Sequence, residues 1–312
     1  MTDTATTLLD EVQSCHDDDP ARAAGLLRRI APSDLAPERW PGYAFLLNHA
    51  LGEKRGAWPE AHAMFGPLLQ VAGTQVPQAL WRQAATAALL AGDAAQAPRL
   101  RDGLAAAAGV AQDQAQDVVA LTATAFRLPT LPWAAAVDAA AAALRGLSAA
   151  SWQAAGPLDA AVAVCTNNIA SSLLERPAQE LKHETLRTTL AVAAQIAERF
   201  WLRAGTWVHH ERAAYLRAMV ANALGDAPQA REHALRGLAL LDANDNAQAE
   251  RVDRAFIELE RARACRDLAL ADEARTAQET ADALAAQFND AGLDAWFARR
   301  CSELGAPARG VT

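Results

Sequence analysis

Leu89-Leu90-Ala91-Gly92-Asp93-Ala94-Ala95-Gln96-Ala97 and Asn222-Ala223-Leu224-Gly225-Asp226-Ala227-Pro228-Gln229-Ala230 are two versions of one junction. Each ends an apolar run on glycine, follows it with aspartate, and resumes after two small or turn residues with Gln-Ala. A residue just past a helix C-terminus commonly adopts the left-handed conformation, which costs glycine little. The aspartate after it accepts hydrogen bonds from the first free N–H groups of a new helix and places negative charge there. The junction therefore predicts helix, tight reversal, helix. Looser versions stand at Trp58-Pro59-Glu60-Ala61 and Ala271-Asp272-Glu273-Ala274.

Outward from these junctions the chain reads the same way. Of its 312 residues 52% are hydrophobic but only 5% aromatic, and alanine supplies most of the difference. Alanine is the strongest helix former and the smallest core side chain, while strand-favouring residues are sparse. Helices are expected over 3–15, 20–30, 41–51, 58–71, 77–91, 93–108, 111–127, 133–147, 157–175, 178–203, 206–224, 226–241, 247–269, 271–288 and 291–304. Pro20, Pro41, Pro77 and Pro157 stand where first turns begin, where a missing N–H costs nothing. The segments pair into seven hairpins and a closing helix. Leu128-Pro129-Thr130-Leu131-Pro132 forbids a continuous helix and marks a kink or sub-domain boundary near 128–133 within one domain over 1–304. Residues 305–312 are expected to form a frayed tail.

This pattern resembles the tetratricopeptide repeat family, whose unit is a helical hairpin of about 34 residues with small side chains where its helices cross. Trp81, Ala85 and Ala97 fit the bulky and small positions of one copy. Ala218, Ala230 and Gly237 fit a second, in which Ala214 replaces the bulky residue. Ala262 and Ala281 fit a third, and Asn168-Ile169-Ala170 with Leu173 resemble the start of another. The resemblance implies an all-α fold, an α-α superhelix of stacked antiparallel hairpins. It also implies a concave face lined by the first helix of each hairpin. A hairpin this rich in alanine buries too little surface alone, so stacking must supply the core.

The formal charge is −8. No basic stripe for phosphates is present, so a nucleic-acid partner is not expected. The densest basic region, Arg251 to Arg266, is interleaved with Asp253, Glu258 and Glu260 and reads as a solvated helix face of mixed charge. No run of about 18 apolar residues occurs. The N-terminal stretch, with Asp3, lacks the charge and apolar core of a leader. A cytoplasmic protein without a membrane partner is expected.

Cys15, Cys165, Cys265 and Cys301 form no CxxC pair and read as small buried hydrophobes. His183-Glu184 and His210-Glu211 lack the second histidine of a zinc-protease helix. No phosphate loop, dinucleotide fingerprint or nucleophile elbow is present. Asp242-Ala243-Asn244-Asp245-Asn246 lacks the glycine and closing glutamate of a calcium loop. Asp17-Asp18-Asp19 reads as an acidic helix start. No catalytic residue, metal or cofactor is expected.

Two polar stripes interrupt this apolar background. Thr166, Asn167, Asn168, Ser171 and Ser172 break one helix, with Asn167 and Ser171 on one face. Trp207, His209, His210, Arg212, Tyr215, Arg217, Met219 and Asn222 crowd another, where Arg212, Tyr215, Met219 and Asn222 share a face. The resemblance places this face in the concave groove and matches Asn222 to a groove asparagine. Asn167, Ser171, His209, Arg212, Tyr215, Met219 and Asn222 are therefore the candidate groove. There Arg would fork onto carboxylates, Asn would pair with amides and Tyr would add contact area. The alternative is that these side chains bond neighbouring helices.

The eight tryptophans read as anchors of hairpin interfaces, with Trp201 and Trp207, beside Gly205, as candidates for more. Three functional readings remain open. One is a non-enzymatic scaffold or adaptor for a protein or peptide partner. Another is a small-molecule sensor or enzyme with a pocket near His209, His210 and Arg212. The third is a homo-oligomer joined through residues 291–304, using Leu293, Trp296 and Phe297.

Overall fold

The structure, a computed structural model, describes residues 2–177, 179–245 and 250–305. All regular structure among them is helical. In chain order the helices are α1 (Thr2–Cys15), α2 (Pro20–Leu27), α3 (Trp40–Leu46), α4 (Trp58–Ala72), α5 (Gln78–Ala91), α6 (Gln96–Ala108), α7 (Gln112–Arg127) and α8 (Trp133–Gly146). There follow α9 (Asp159–Leu174), α10 (Glu184–Ala204), α11 (Trp207–Leu224), α12 (Ala227–Asn244), α13 (Arg251–Asp267), α14 (Ala271–Ala285) and α15 (Ala291–Gly305). A π-helical stretch, Leu47–Glu53, continues α3. Helices pack mainly on their sequence neighbours.

All fifteen expected helices are present, with shifts at their ends. The largest is at α10: residues 180–182 form a separate 3-10 turn and the helix begins at Glu184. Pro20 and Pro41 sit in first turns. Pro77 is instead the residue before α5, and α9 starts two residues beyond Pro157. Leu128–Thr130 is a 3-10 turn. The expected tail lies outside the described residues except for Gly305, which ends α15.

The junctions form as their residues dictate. Gly92 and Gly225 both stand at φ 78° and ψ 18°. Asp93 N donates to Ala88 O at 2.9 Å and Asp226 N to Ala221 O at 2.8 Å, which closes each helix end. Asp93 Oδ1 then accepts from Gln96 N at 2.9 Å, and Asp226 Oδ1 from Gln229 N at 3.2 Å. The α13–α14 junction repeats this geometry without glycine. Leu270 N donates to Cys265 O at 2.8 Å, and Ala269 takes the left-handed position at φ 59°.

The chain divides into two compact units, Met1–Pro132 with Asp138–Leu158, and Trp133–Val137 with Asp159–Thr312. In the first, α5 is the enclosed helix: every residue from Gln83 to Ala88 is buried. Four of those six are alanine, which lets helix axes approach to about 8 Å. In the second, α13 is enclosed, with Ala255 to Glu260 buried without a break. The expected solvated face over Arg251 to Arg266 is therefore corrected. Glu258 and Glu260 are interior, because α11, α12, α14 and α15 all pack on α13. Their charges are met inside: Arg261 Nε lies 2.7 Å from Glu258, and Arg300 bonds Glu260.

Cys165 and Cys265 are buried, Cys15 and Cys301 half-buried, and all four are free thiols. Trp152 is fully buried and donates Nε1–H to Asp117 Oδ2 at 3.0 Å. Phe297 is buried against Phe256, and Trp296 lies 4.3 Å from the Phe256 ring, so this part of α15 packs on its own unit.

Candidate functional site

The second unit carries a hollow of about 1620 Å³. Its lining follows the hairpin logic. Most lining residues come from the first helices α9, α11 and α13, from the closing helix α15, and from the connection between α9 and α10. The partner helices α10 and α12 contribute only residues near their ends, and α14 contributes none. All seven sequence-derived groove residues, Asn167, Ser171, His209, Arg212, Tyr215, Met219 and Asn222, are on this lining. Their chemistry is less free than their position.

Asn222, 2% exposed, donates from Nδ2 to Glu260 O at 3.0 Å and to Glu260 Oε2 at 2.7 Å. Arg212 keeps 54% of its side chain exposed, yet its fork is occupied. Nε donates to Asp253 Oδ2 at 2.8 Å and Nη2 to Glu250 Oε2 at 3.3 Å. The hydrogen bond to Asp253 raises the guanidinium pKa above its usual value. Tyr215 Oη is buried and unpartnered among the described residues, and burial raises its pKa strongly.

His209 acts locally. Its Nδ1 accepts from Thr206 N at 3.1 Å and lies 2.9 Å from Thr206 Oγ1, closing the N-terminus of α11. Its ring stacks on Trp201 at 4.3 Å. His210 is not on the lining, and its Nε2 is buried. Of His209, His210 and Arg212, the first and the third are therefore on this lining. In the other stripe, Asn167, Asn168 and Ser171 face the hollow, while Thr166 is core, its Oγ1 donating to Val162 O at 2.8 Å.

Sequence reading missed the rest of the lining. Asp253, Arg263, Trp296, Arg299 and Arg300 line the hollow, as does Lys182 from the connection before α10. Burial works against the Arg300 charge, but Glu260 outweighs it and the pKa is raised. The residues of α15 carried an apolar signal, Trp296-Phe297, but no spacing linked them to α11. Off the lining, on α11 itself, Glu211 is 0% exposed, with neither carboxyl oxygen receiving a hydrogen bond among the described residues. Burial first, and then the nearby Asp253 carboxylate, push its pKa up to about 8.

The calcium-loop candidate is occupied by local bonding. Asp242 pairs with Arg254 at 2.7 Å, Asn244 Nδ2 donates to Leu240 O, and Asp245 accepts from Glu250 N; Asn246 lies outside the described residues. No helix among the described residues is long and apolar enough to cross a membrane. No protein-family model matches this chain, and no curated protein matches it either.

Proposed function

We propose that this chain is a non-enzymatic, tetratricopeptide-like helical-repeat protein, a scaffold or adaptor that holds an extended segment of a partner protein in the hollow of its second unit. The observation that carries this reading is the lining itself. The walls come largely from first helices, as stacked hairpins with a receptive inner face require, and α15 and the α9–α10 connection complete them. The hollow is large enough for several residues of extended chain and presents mixed charge, with exposed Lys182 and Arg299 beside the paired Arg212. Arg212 then acts as an exposed cation held in place by its acids.

The test is recovery of a partner from native lysate with the wild-type chain, with Lys182→Glu plus Arg299→Glu, and with Arg275→Glu on α14 as control. Loss with the first variant and retention with the control supports the groove. Equal recovery with all three counts against it. A second reading, a small polar ligand, is favoured by the unpartnered Tyr215 Oη and Asn222 Oδ1 on one lining. It predicts a reproducible rise in melting temperature with a metabolite, abolished by Tyr215→Phe.

A further inference from the structure

The first unit brings His49 beside a pair, His16 and Asp17, that lies more than 30 residues earlier in the chain. His16 and Asp17 follow the end of α1, and His49 stands in the π-helical stretch. Their nitrogen and oxygen donor atoms all lie within 4.8 Å of one another. His49 Nε2 is 3.2 Å from Asp17 Oδ1, and His16 Nε2 is 3.5 Å from Asp17 Oδ2. Bonds of about 2.0–2.1 Å at tetrahedral angles separate neighbouring donors by about 3.3 Å. Each imidazole stands near that distance from a different oxygen of the Asp17 carboxylate, so a small ion between the rings would be held by Asp17 through either oxygen or both.

We propose that His16, Asp17 and His49 bind one divalent transition-metal ion of the zinc class, tying the α1–α2 connection to the π-helical turn. The donor set selects the ion. Two imidazoles and one carboxylate suit zinc, cobalt or nickel, whereas calcium and magnesium prefer oxygen alone.

A second observation points the same way. Glu53 Oε2 lies 2.5 Å from His49 Nδ1. A carboxylate on the far nitrogen fixes the tautomer that presents Nε2 to an ion and raises the basicity of the ring, the usual outer support of a metal-bound histidine. The Phe45 ring stacks on His49 at 5.3 Å and limits its rotation. The π-helical turn matters because it places His49 toward the α1 end while Glu53 stays one turn behind it. Lys54 opposes the ion. Its Nζ lies 2.8 Å from Asp17 Oδ1, and it must yield that oxygen when metal binds. Three protein ligands leave a further position for water.

The experiment titrates the full chain with zinc chloride by calorimetry and with cobalt chloride by visible absorption. One ion per chain is expected, with cobalt bands of a four- or five-coordinate site. His49→Ala and Asp17→Ala should each weaken binding at least about 10-fold, and Glu53→Gln by about 10-fold through the outer carboxylate. Lys54→Met should tighten binding several-fold, a change that no folding defect would mimic. His62→Ala, at the His62–Asp93 pair elsewhere in the unit, should leave it unchanged. Equal affinity in wild type and His49→Ala, no saturable binding, or no tightening in Lys54→Met would each overturn the site.

Discussion

Asn222 on α11 reaches across to α13 and holds both the backbone carbonyl and the carboxylate of Glu260, at 3.0 and 2.7 Å. Asn48, in the π-helical stretch of the first unit, does the same to Gln83 on α5, at 2.9 Å to the carbonyl and 2.7 Å to Oε1. In each unit the tie runs to the enclosed helix. Gln83 precedes Gly92, and Glu260 precedes Ala269, at the same spacing. Each unit therefore uses one amide to set the register of its most buried helix.

Asn222→Ala should destabilise the chain by about 1–3 kcal/mol, because a buried carbonyl and carboxylate lose their donor. Asn222→Asp should cost more, since it sets a second carboxylate against Glu260. Asn48→Ala should cost a comparable amount. Urea unfolding of the three variants, read by circular dichroism, checks this; a change below about 0.5 kcal/mol in Asn222→Ala would show that the bond contributes nothing net.

Ala269 occupies a backbone region that costs an alanine roughly 1–2 kcal/mol. Ala269→Gly relieves that cost and adds some freedom to the unfolded chain, for a net gain of about 0.5–1 kcal/mol. Gly225→Ala should lose about 1 kcal/mol at the sister junction. Thermal melts of both variants should move in opposite directions.

Glu211 supplies a pH dependence. Its pKa is raised to about 8 in the fold, above the ordinary carboxyl value. Between the two values the folded chain holds a proton that the unfolded chain has lost. The stabilisation is thus complete below the unfolded pKa and is lost as pH rises through about 8. Glu211→Gln keeps a neutral donor for Asp253 and removes this titration. The variant should be more stable than wild type at pH 8.5, on the order of 1–3 kcal/mol, and the difference should shrink as pH falls toward 5. Parallel pH-dependent melts that show no convergence would contradict the buried acid.

Trp81 lies against Gly103, where an added Cβ would meet the indole ring at 2.7 Å. Gly103→Val should overpack α5 against α6 and cost about 1–3 kcal/mol. Restoring room with Trp81→Phe in the same chain should recover part of the loss, measurable as a coupling in a double-mutant cycle.

Local chemistry alone determined the helices and their reversals. Gly92-Asp93 and Gly225-Asp226 carry their own conformational instructions, and Pro20 and Pro41 open helices for reasons contained in the ring. The lining of the hollow was half legible. Helical period placed Arg212, Tyr215, Met219 and Asn222 on one face, because that period is a property of a single helix.

Tertiary packing decided the rest, since it sums contacts between helices that sequence distance does not predict. Arg251 to Arg266 has the composition of a surface helix, and only the closure of four helices around it made Glu258 and Glu260 interior. Asn222 and Arg212 read as free recognition groups, and the arrival of Glu260, Asp253 and Glu250 from the next hairpin engaged them. His49 came beside His16 and Asp17 only through the packing that sets the π-helical stretch against the end of α1. A residue's conformation is set by its own covalent structure and its near neighbours, but its electrostatic role is set by whichever charges the packing delivers to it.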